Sequence, residues 1–409
     1  MSDTLRQHYE AFPYPSRDPE EERKRLITGT PSAVLQIQHY IFGGKLPERP
    51  LRFLAAGGGT GDAALMMAQQ AVDLGLKAEV LHLDLSAASQ EIARKRAEIR
   101  GLTNIRFVQD TLFNAAHYGP FDYIDCCGVL HHLDSPPAGL AALKAALTPE
   151  GGMGLMLYAP LGRTGVYPMQ AALRLITTAD MDGQTKVRLA RKLIAELPAS
   201  NWLKRNPLIT DHTGSDAGVY DLLLHSQDRP YSVMEVVEFV QGGGLDIISF
   251  VEKMRYDPLT FLTSPDLVSH LPEDRYQRAA LAEEIGGMLL KHVFYITFKE
   301  RAASAEAQNS PEMIPIYSGF DGQAIGHSIK PEQALTGKLN GISVAMPMPR
   351  LAGAIMQRID GQRSWRQIHE LMKTDLGRDA PSWEKFWEQA LEVWHKLHGL
   401  NVLLLQKAN

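Results

Sequence analysis

Residues 51–61 read LRFLAAGGGTG, an apolar run that ends in Gly57, Gly58, Gly59 and, one residue on, Gly61. Glycines placed after a strand and before a helix let the backbone turn tightly and approach a ligand. The helix N-terminus beyond them offers free N–H groups. Asp84 ends the next apolar run, about 20 residues after the glycines, where a carboxylate can accept both hydroxyls of a ribose. Asp110 ends a third run, where a carboxylate can accept the exocyclic amino group of adenine. Either acid alone reads first as a helix cap or turn residue; with the glycines, the three positions read as contacts to an adenosine-bearing ligand. After the fourth apolar run come His131 and His132, candidates for a general base. Adjacent Cys126 and Cys127 read as small buried strand residues rather than nucleophiles.

These residues need a frame that brings strand ends together. From residue 51 to 158 short apolar runs alternate with amphipathic stretches, the pattern of a parallel sheet with crossover helices. Strands are expected at 51–56, 78–85, 104–110, 121–129 and 153–159, forming a doubly wound α/β unit. Two later runs, 245–253 and 292–300, would complete a seven-stranded sheet. The material between, with a helical insertion at 161–240, would cap the strand ends. The small, polar, unpatterned segment 301–313 reads as a linker. Residues 314–409 then form a separate small module of three short helices and a β-type tail, a winged-helix-like arrangement whose Trp365, Trp383, Trp387 and Trp394 are expected in its core.

The successive segments GGGTG, HLDLS, VQDTL, FDYIDCCGVLHHLDSP and EGGMGLMLYAP resemble, in order and spacing, the motifs of class I S-adenosylmethionine-dependent methyltransferases with their Rossmann-like sheet. The resemblance covers residues 50–160. It implies S-adenosyl-L-methionine as cofactor, with Gly57, Gly58, Gly59 and Gly61 along the methionine moiety and Asp84 with Leu85 at the ribose. Asp110, Thr111 and Leu112 would flank the adenine, and Gly128 with the following VLHHL would lie beside the sulfonium and the substrate. One position departs from the family pattern: an acid is common two residues before the first glycine, and here Ala55 stands there. Asp62, or Tyr14 or Arg17 from the Pro-ordered FPYPSRDP stretch, could take over, with residues 1–50 folding over the cofactor pocket. The YPYP-like start and the segments 158–170 and 224–239 resemble a bacterial methyltransferase subgroup. They supply Tyr158 as a catalytic candidate and Arg163, Tyr167, His225, Asp228, Arg229 and Tyr231 on the substrate side. Ser232 and Glu235 also fit a capping box. The C-terminal module faintly resembles the small peptide-binding domain of pyrroloquinoline quinone biosynthesis.

Composition narrows the classes. The 409 residues are 44% hydrophobic and 22% charged, which is an ordinary globular balance and not that of a fibrous or disordered chain. No run reaches the ~18 apolar residues of a membrane span, and the start shows no signal-peptide pattern, so a cytoplasmic protein is expected. With 2 adjacent cysteines and 14 scattered histidines, neither a disulfide framework nor a metal site is expected. A net charge of −5 argues against a dedicated nucleic-acid binder. The basic stretch from Lys186 to Arg205 reads as a solvated helix face, with RNA or an acidic substrate as its alternative. The leading expectation is methyl transfer to a protein or peptide side chain. A small-molecule O- or N-methyltransferase, a catalytically silent cofactor-binding scaffold and a nicotinamide-dependent oxidoreductase are the rivals. Oligomeric state is left open, a homodimer included.

Overall fold

The computed structural model describes Glu10 and residues 13–225, 227–339 and 342–408; the first nine residues of the expected N-terminal cover lie outside this range. The core is a seven-stranded sheet. Its strands are β1 (Leu51–Ala56), β2 (Ala78–Asp84), β3 (Ile105–Gln109), β4 (Phe121–Cys127), β5 (Leu147–Tyr158), β6 (Leu245–Phe250) and β7 (Lys291–Phe298). Their order is β3-β2-β1-β4-β5-β7-β6. The first five run parallel, and β7 is antiparallel to both β5 and β6.

Alternation along the strands divides the core between two faces. Leu54, Leu81, Leu83, Ile124 and Cys126 pack on one side. There they meet α4 (Pro136–Ala145) through Leu140 and Leu143, and α7 (Val233–Gly242) through Val233, Val236 and Val240. Phe53, Ala55, Val80 and Tyr123 face the other side. That side is covered by α1 (Val34–Tyr40) and α2 (Asp62–Asp73), while α3 (Ala87–Arg100) follows β2. Helix starts follow local chemistry. The Ser86 hydroxyl accepts the Ser89 N–H at α3, and Ser232 and Glu235 close the expected capping box at α7.

The cap is smaller than the sequence suggests. Helices α5 (Val166–Ile176) and α6 (Gly183–Glu196), with the turns that follow, form their own cluster of Val166, Met169, Leu173, Val187, Ala190, Leu203 and Leu222. The insertion read as 161–240 therefore ends near residue 225, because the valine stripe of α7 belongs to the sheet core. Helix α8 (Arg275–Gly286) precedes β7.

Residues 301–313 are not a free polar linker. Ala302, Ala305 and Ala307 are buried, and Arg301 donates to the carbonyls of Glu150, Gly151 and Ile41. Glu306 meets Lys253 at 2.6 Å, His398 at 3.0 Å and His39 at 3.5 Å. Burial opposes ionisation of Glu306, yet the neighbouring His39 and His398 rings and the Lys253 charge hold its carboxyl well below the usual range. The segment looks polar in sequence because its charged groups are satisfied by partners distant along the chain.

The C-terminal part consists of β8 (Ile314–Tyr317), α9 (Gly322–Ser328), the hairpin β9 (Ala334–Leu339) and β10 (Ile342–Pro347), α10 (Ala352–Met356), α11 (Trp365–Leu376), α12 (Trp383–Gly399) and β11 (Leu403–Gln406). Trp365 and Trp394 are in its core, and Trp383 and Trp387 pack against it. The hairpin precedes the three helices, and β11 pairs antiparallel with β8 rather than with the hairpin. This part docks firmly. Tyr40 donates to Asn401 at 2.9 Å, the Leu405 N–H donates to His39 at 3.1 Å, and Leu404 enters the core cluster beneath α1.

Candidate active site

The C-terminal ends of β1, β2 and β4 open into a cavity of about 580 Å³, a volume in the range that holds a cofactor-sized ligand. Gly57, Gly58 and Gly59 form one wall, with Asp84, Leu85, Asp110, Leu112 and Gly128 beside them. Gly61 stands back from the cavity as the N-cap of α2, at φ 103°, and a Cβ there would strike Ala93 at 2.8 Å. The Asp84 carboxylate fastens the loop, with one oxygen accepting the Gly59 N–H at 2.7 Å and the other the Ser86 N–H at 2.8 Å. Each oxygen keeps a lone pair for a hydroxyl. Asp110 accepts from Thr111 N–H, Asn114 and Tyr118. Thr111 itself caps the short turn Leu112–Asn114 and does not line the cavity.

Tyr14, Pro15 and Arg17 lie across the glycine loop as part of the cavity wall. The seat is close. A Cβ at Gly59 would meet the Tyr14 carbonyl at 2.6 Å, and the Thr60 hydroxyl donates to the Pro15 carbonyl at 2.8 Å. The anchor is a buried charge network. Arg17 reaches Asp62 at 2.6 Å, and Arg96 joins Asp62 at 2.7 Å to Glu22 at 2.5 Å, with Arg100 also on Glu22. Arg96 and Glu22 are 1% and 2% exposed, so each neutralises a charge the other could not bury alone.

At the other end of the cavity stand His132, Tyr158, Arg163 and Asp221. Asp221 comes from the cap, on the π-helical turn Tyr220–Leu224; such turns often mark functional positions. Its carboxylate accepts from the Tyr158 hydroxyl at 3.3 Å. Burial, reinforced by the charge of Asp228, pushes the Asp221 carboxyl up to about 7. The Arg163 guanidinium lies 3.7 Å from the Tyr158 ring centre, with Nη2 3.2 Å from Asp228. Burial lifts the phenols of Tyr14 and Tyr158, so both stay protonated donors.

The paired histidines separate. His132 lines the cavity, its Nδ1 2.7 Å from the Gln227 carbonyl and its ring 3.8 Å from that of His225. His131 lies off the cavity, packed between His132 and Tyr158. Burial holds it neutral, its pKa well below the ordinary value, and among the described residues neither ring nitrogen has a hydrogen-bond partner. Of the two histidines expected as base candidates, only His132 therefore reaches the cavity, since adjacent residues on a turn face different ways.

The substrate-side candidates divide similarly. Arg163 reaches the cavity, while Tyr167 and Asp228 stand behind it as its partners. His225 backs His132. Tyr231 is core, and Arg229 lies over its ring and pairs with Glu235 away from the cavity. Asp221, Asp125, Met156, Lys291 and the 208–211 loop line the cavity and were not singled out by the sequence. An acid inside the apolar strand FDYIDCC was the available signal for Asp125; nothing local marked Asp221. Ligand atoms of His132, Asp221 and His225 lie within 4.8 Å of one another, close enough to share a cation, although the Arg163 charge beside them opposes one.

A family model described as a methyltransferase domain aligns with residues 54–153. That segment, residues 54–153, is a methyltransferase domain. An uncharacterised protein of Synechococcus sp. is 31% identical over 281 residues, 66% of this chain and 64% of that protein. The demethylmenaquinone methyltransferase of Thermus thermophilus is 33% identical over 125 residues, 27% of this chain and 54% of that enzyme. The chain thus spans less than two thirds of either relative. Among solved structures, PKMT2 from Rickettsia typhi superposes with a TM-score of 0.63 at 15% identity, covering 92% of this chain and 76% of that one. That likeness extends the shared fold well beyond the methyltransferase domain, through the cap and into the C-terminal part.

Proposed function

We propose that this protein is a cytoplasmic S-adenosylmethionine-dependent methyltransferase. Its acceptor, in this reading, is a nitrogen or oxygen nucleophile that loses a proton on methylation. One observation carries it: a single cavity joins the glycine loop and Asp84 at one end to the Tyr158–Asp221 pair at the other. The donor set fits the cofactor. Carboxylates at the ends of β2 and β3 suit ribose and adenine, and Leu85 and Leu112 suit the flat faces of a base. When bound, the cofactor supplies an electrophilic methyl group on a sulfonium.

The protein's part is alignment, exclusion of water and handling of one proton. Tyr14 and the cap close the cavity from above. Asp221, poised near neutrality, takes the acceptor's proton. Tyr158 orients that carboxylate, and Arg163 steadies the negative charge it carries until the proton arrives. His132 borders the acceptor space. A protein or peptide side chain is the leading acceptor, since the cap and the C-terminal part supply surface beyond a minimal catalytic sheet. A small-molecule acceptor is the second reading. The similarity to the demethylmenaquinone methyltransferase favours it, but is confined to 27% of this chain.

Titration calorimetry with S-adenosylmethionine tests the class; absence of binding by the intact protein overturns it. Incubating a cell lysate with an isotope-labelled methyl donor, with and without the enzyme, separates labelled protein from labelled small molecules by mass spectrometry. Label in low-mass products alone removes the side-chain reading.

A further inference from the structure

The amino acid end of the cofactor carries an ammonium group, and a buried ammonium needs a carboxylate. This inference rests on the cofactor reading above. The cavity wall offers several acids, and most are engaged. Asp62 already lies between the guanidinium groups of Arg17 and Arg96. Asp84 accepts two backbone N–H groups at the end of β2, and Asp110 is held by Tyr118, Asn114 and Thr111. Asp221 is tied to Tyr158 on the acceptor side, and Asp211 of the cap lies on that side too, close enough for its charge to act on Asp221 and Tyr14.

Asp125 is different. It lies on β4, in register with Ala55 of β1. Residues paired this way point to the same face of the sheet. Ala55 stands two residues before Gly57, where the family resemblance leads one to expect an acid, and its methyl group leaves that neighbourhood without a charge. The adjacent strand supplies one. Asp125 lines the cavity beside Gly57, Gly58 and Gly128 and is only 3% exposed. Its Oδ2 accepts from the Ser32 hydroxyl at 2.7 Å and the Cys127 thiol at 3.6 Å, and among the described residues it forms no ion pair. Burial lifts the carboxyl to about 6 against those two hydrogen bonds. That is the behaviour of a buried acid lacking a nearby cation.

We infer that Asp125 replaces the absent acid at position 55 and binds the ammonium group of the cofactor's methionine moiety. The acid has moved one strand sideways in the sheet while facing the same end of the cavity. Strands 4.7–4.9 Å apart place the two positions within one side-chain length of each other.

Calorimetry with two ligands tests this. S-adenosylhomocysteine keeps the ammonium group; 5′-methylthioadenosine shares the nucleoside and thioether but lacks the amino acid end. Asp125→Asn, which preserves shape and an acceptor for Ser32, is expected to weaken S-adenosylhomocysteine at least tenfold and leave 5′-methylthioadenosine within twofold. The exchange Ala55→Asp with Asp125→Ala should recover part of the loss. Equal weakening of both ligands, or unchanged affinity for both, overturns the assignment. Binding of neither ligand to the unaltered protein overturns the cofactor reading itself.

Discussion

Asp221→Asn separates what this carboxyl does for the fold from what it does for the reaction. Its pKa rises from an ordinary 3.8 to about 7 because burial and the neighbouring Asp228 disfavour its charge. An acid whose folded pKa lies above its unfolded one holds its proton more tightly in the folded chain. Its favourable contribution is complete below about pH 4 and is lost as the pH climbs through 7. At ~1.4 kcal/mol per pKa unit, ionising the native carboxyl costs on the order of 4 kcal/mol above pH 8. Asparagine removes that cost while keeping an acceptor for Tyr158. The variant and the unaltered protein should melt together near pH 4.5. The variant should melt higher above pH 8, by on the order of 5–10 °C for a stability gain of that size. Thermal melts of both proteins from pH 4.5 to 9 give the difference directly, since Asp125, also raised, is present in each and cancels. Methyl transfer should meanwhile fall by about 100-fold or more, the size of a lost general base, and in the unaltered protein kcat/KM should rise with pH through about 7. A melting difference that is flat in pH, or a variant less stable at pH 8.5, would refute the reasoning.

Other perturbations test the supports of the cavity. Glu22→Gln removes the main counter-charge of buried Arg96 and Arg100 and should cost about 3 kcal/mol in urea unfolding. A loss below about 1 kcal/mol would mean that Asp62 alone balances the network. Gly59→Ala puts a Cβ 2.6 Å from the Tyr14 carbonyl at a positive φ and should lift the N-terminal segment from the loop. Faster proteolysis before residue 20 and weaker cofactor binding should appear together, and either without the other would break the link. Glu306→Gln leaves Lys253 without its partner at the junction with the C-terminal part and should lower the melting midpoint, most strongly above pH 5 where the native carboxylate is ionised.

Local chemistry determined the catalytic half. Alternating apolar runs fixed five strands and their helices, and Gly57–Gly61 with Asp84 and Asp110 marked the strand ends, because backbone freedom at glycine and period-2 burial are short-range properties. The Ser232–Glu235 capping box was legible for the same reason. What faces the cavity from elsewhere was decided only by the fold. His131 and His132 differ by one residue and therefore by direction. Tyr231 and Arg229 share a polar-aromatic segment with Asp228, which backs Arg163, yet pack away from the cavity, while Asp221, in an unremarkable apolar stretch, reaches Tyr158 from 63 residues away. The linker that looked loose is locked by partners hundreds of residues apart, His39 and His398 among them. Sequence records which side chains can do chemistry; the register between β1 and β4, which puts Asp125 beside Ala55, exists only once the sheet has formed.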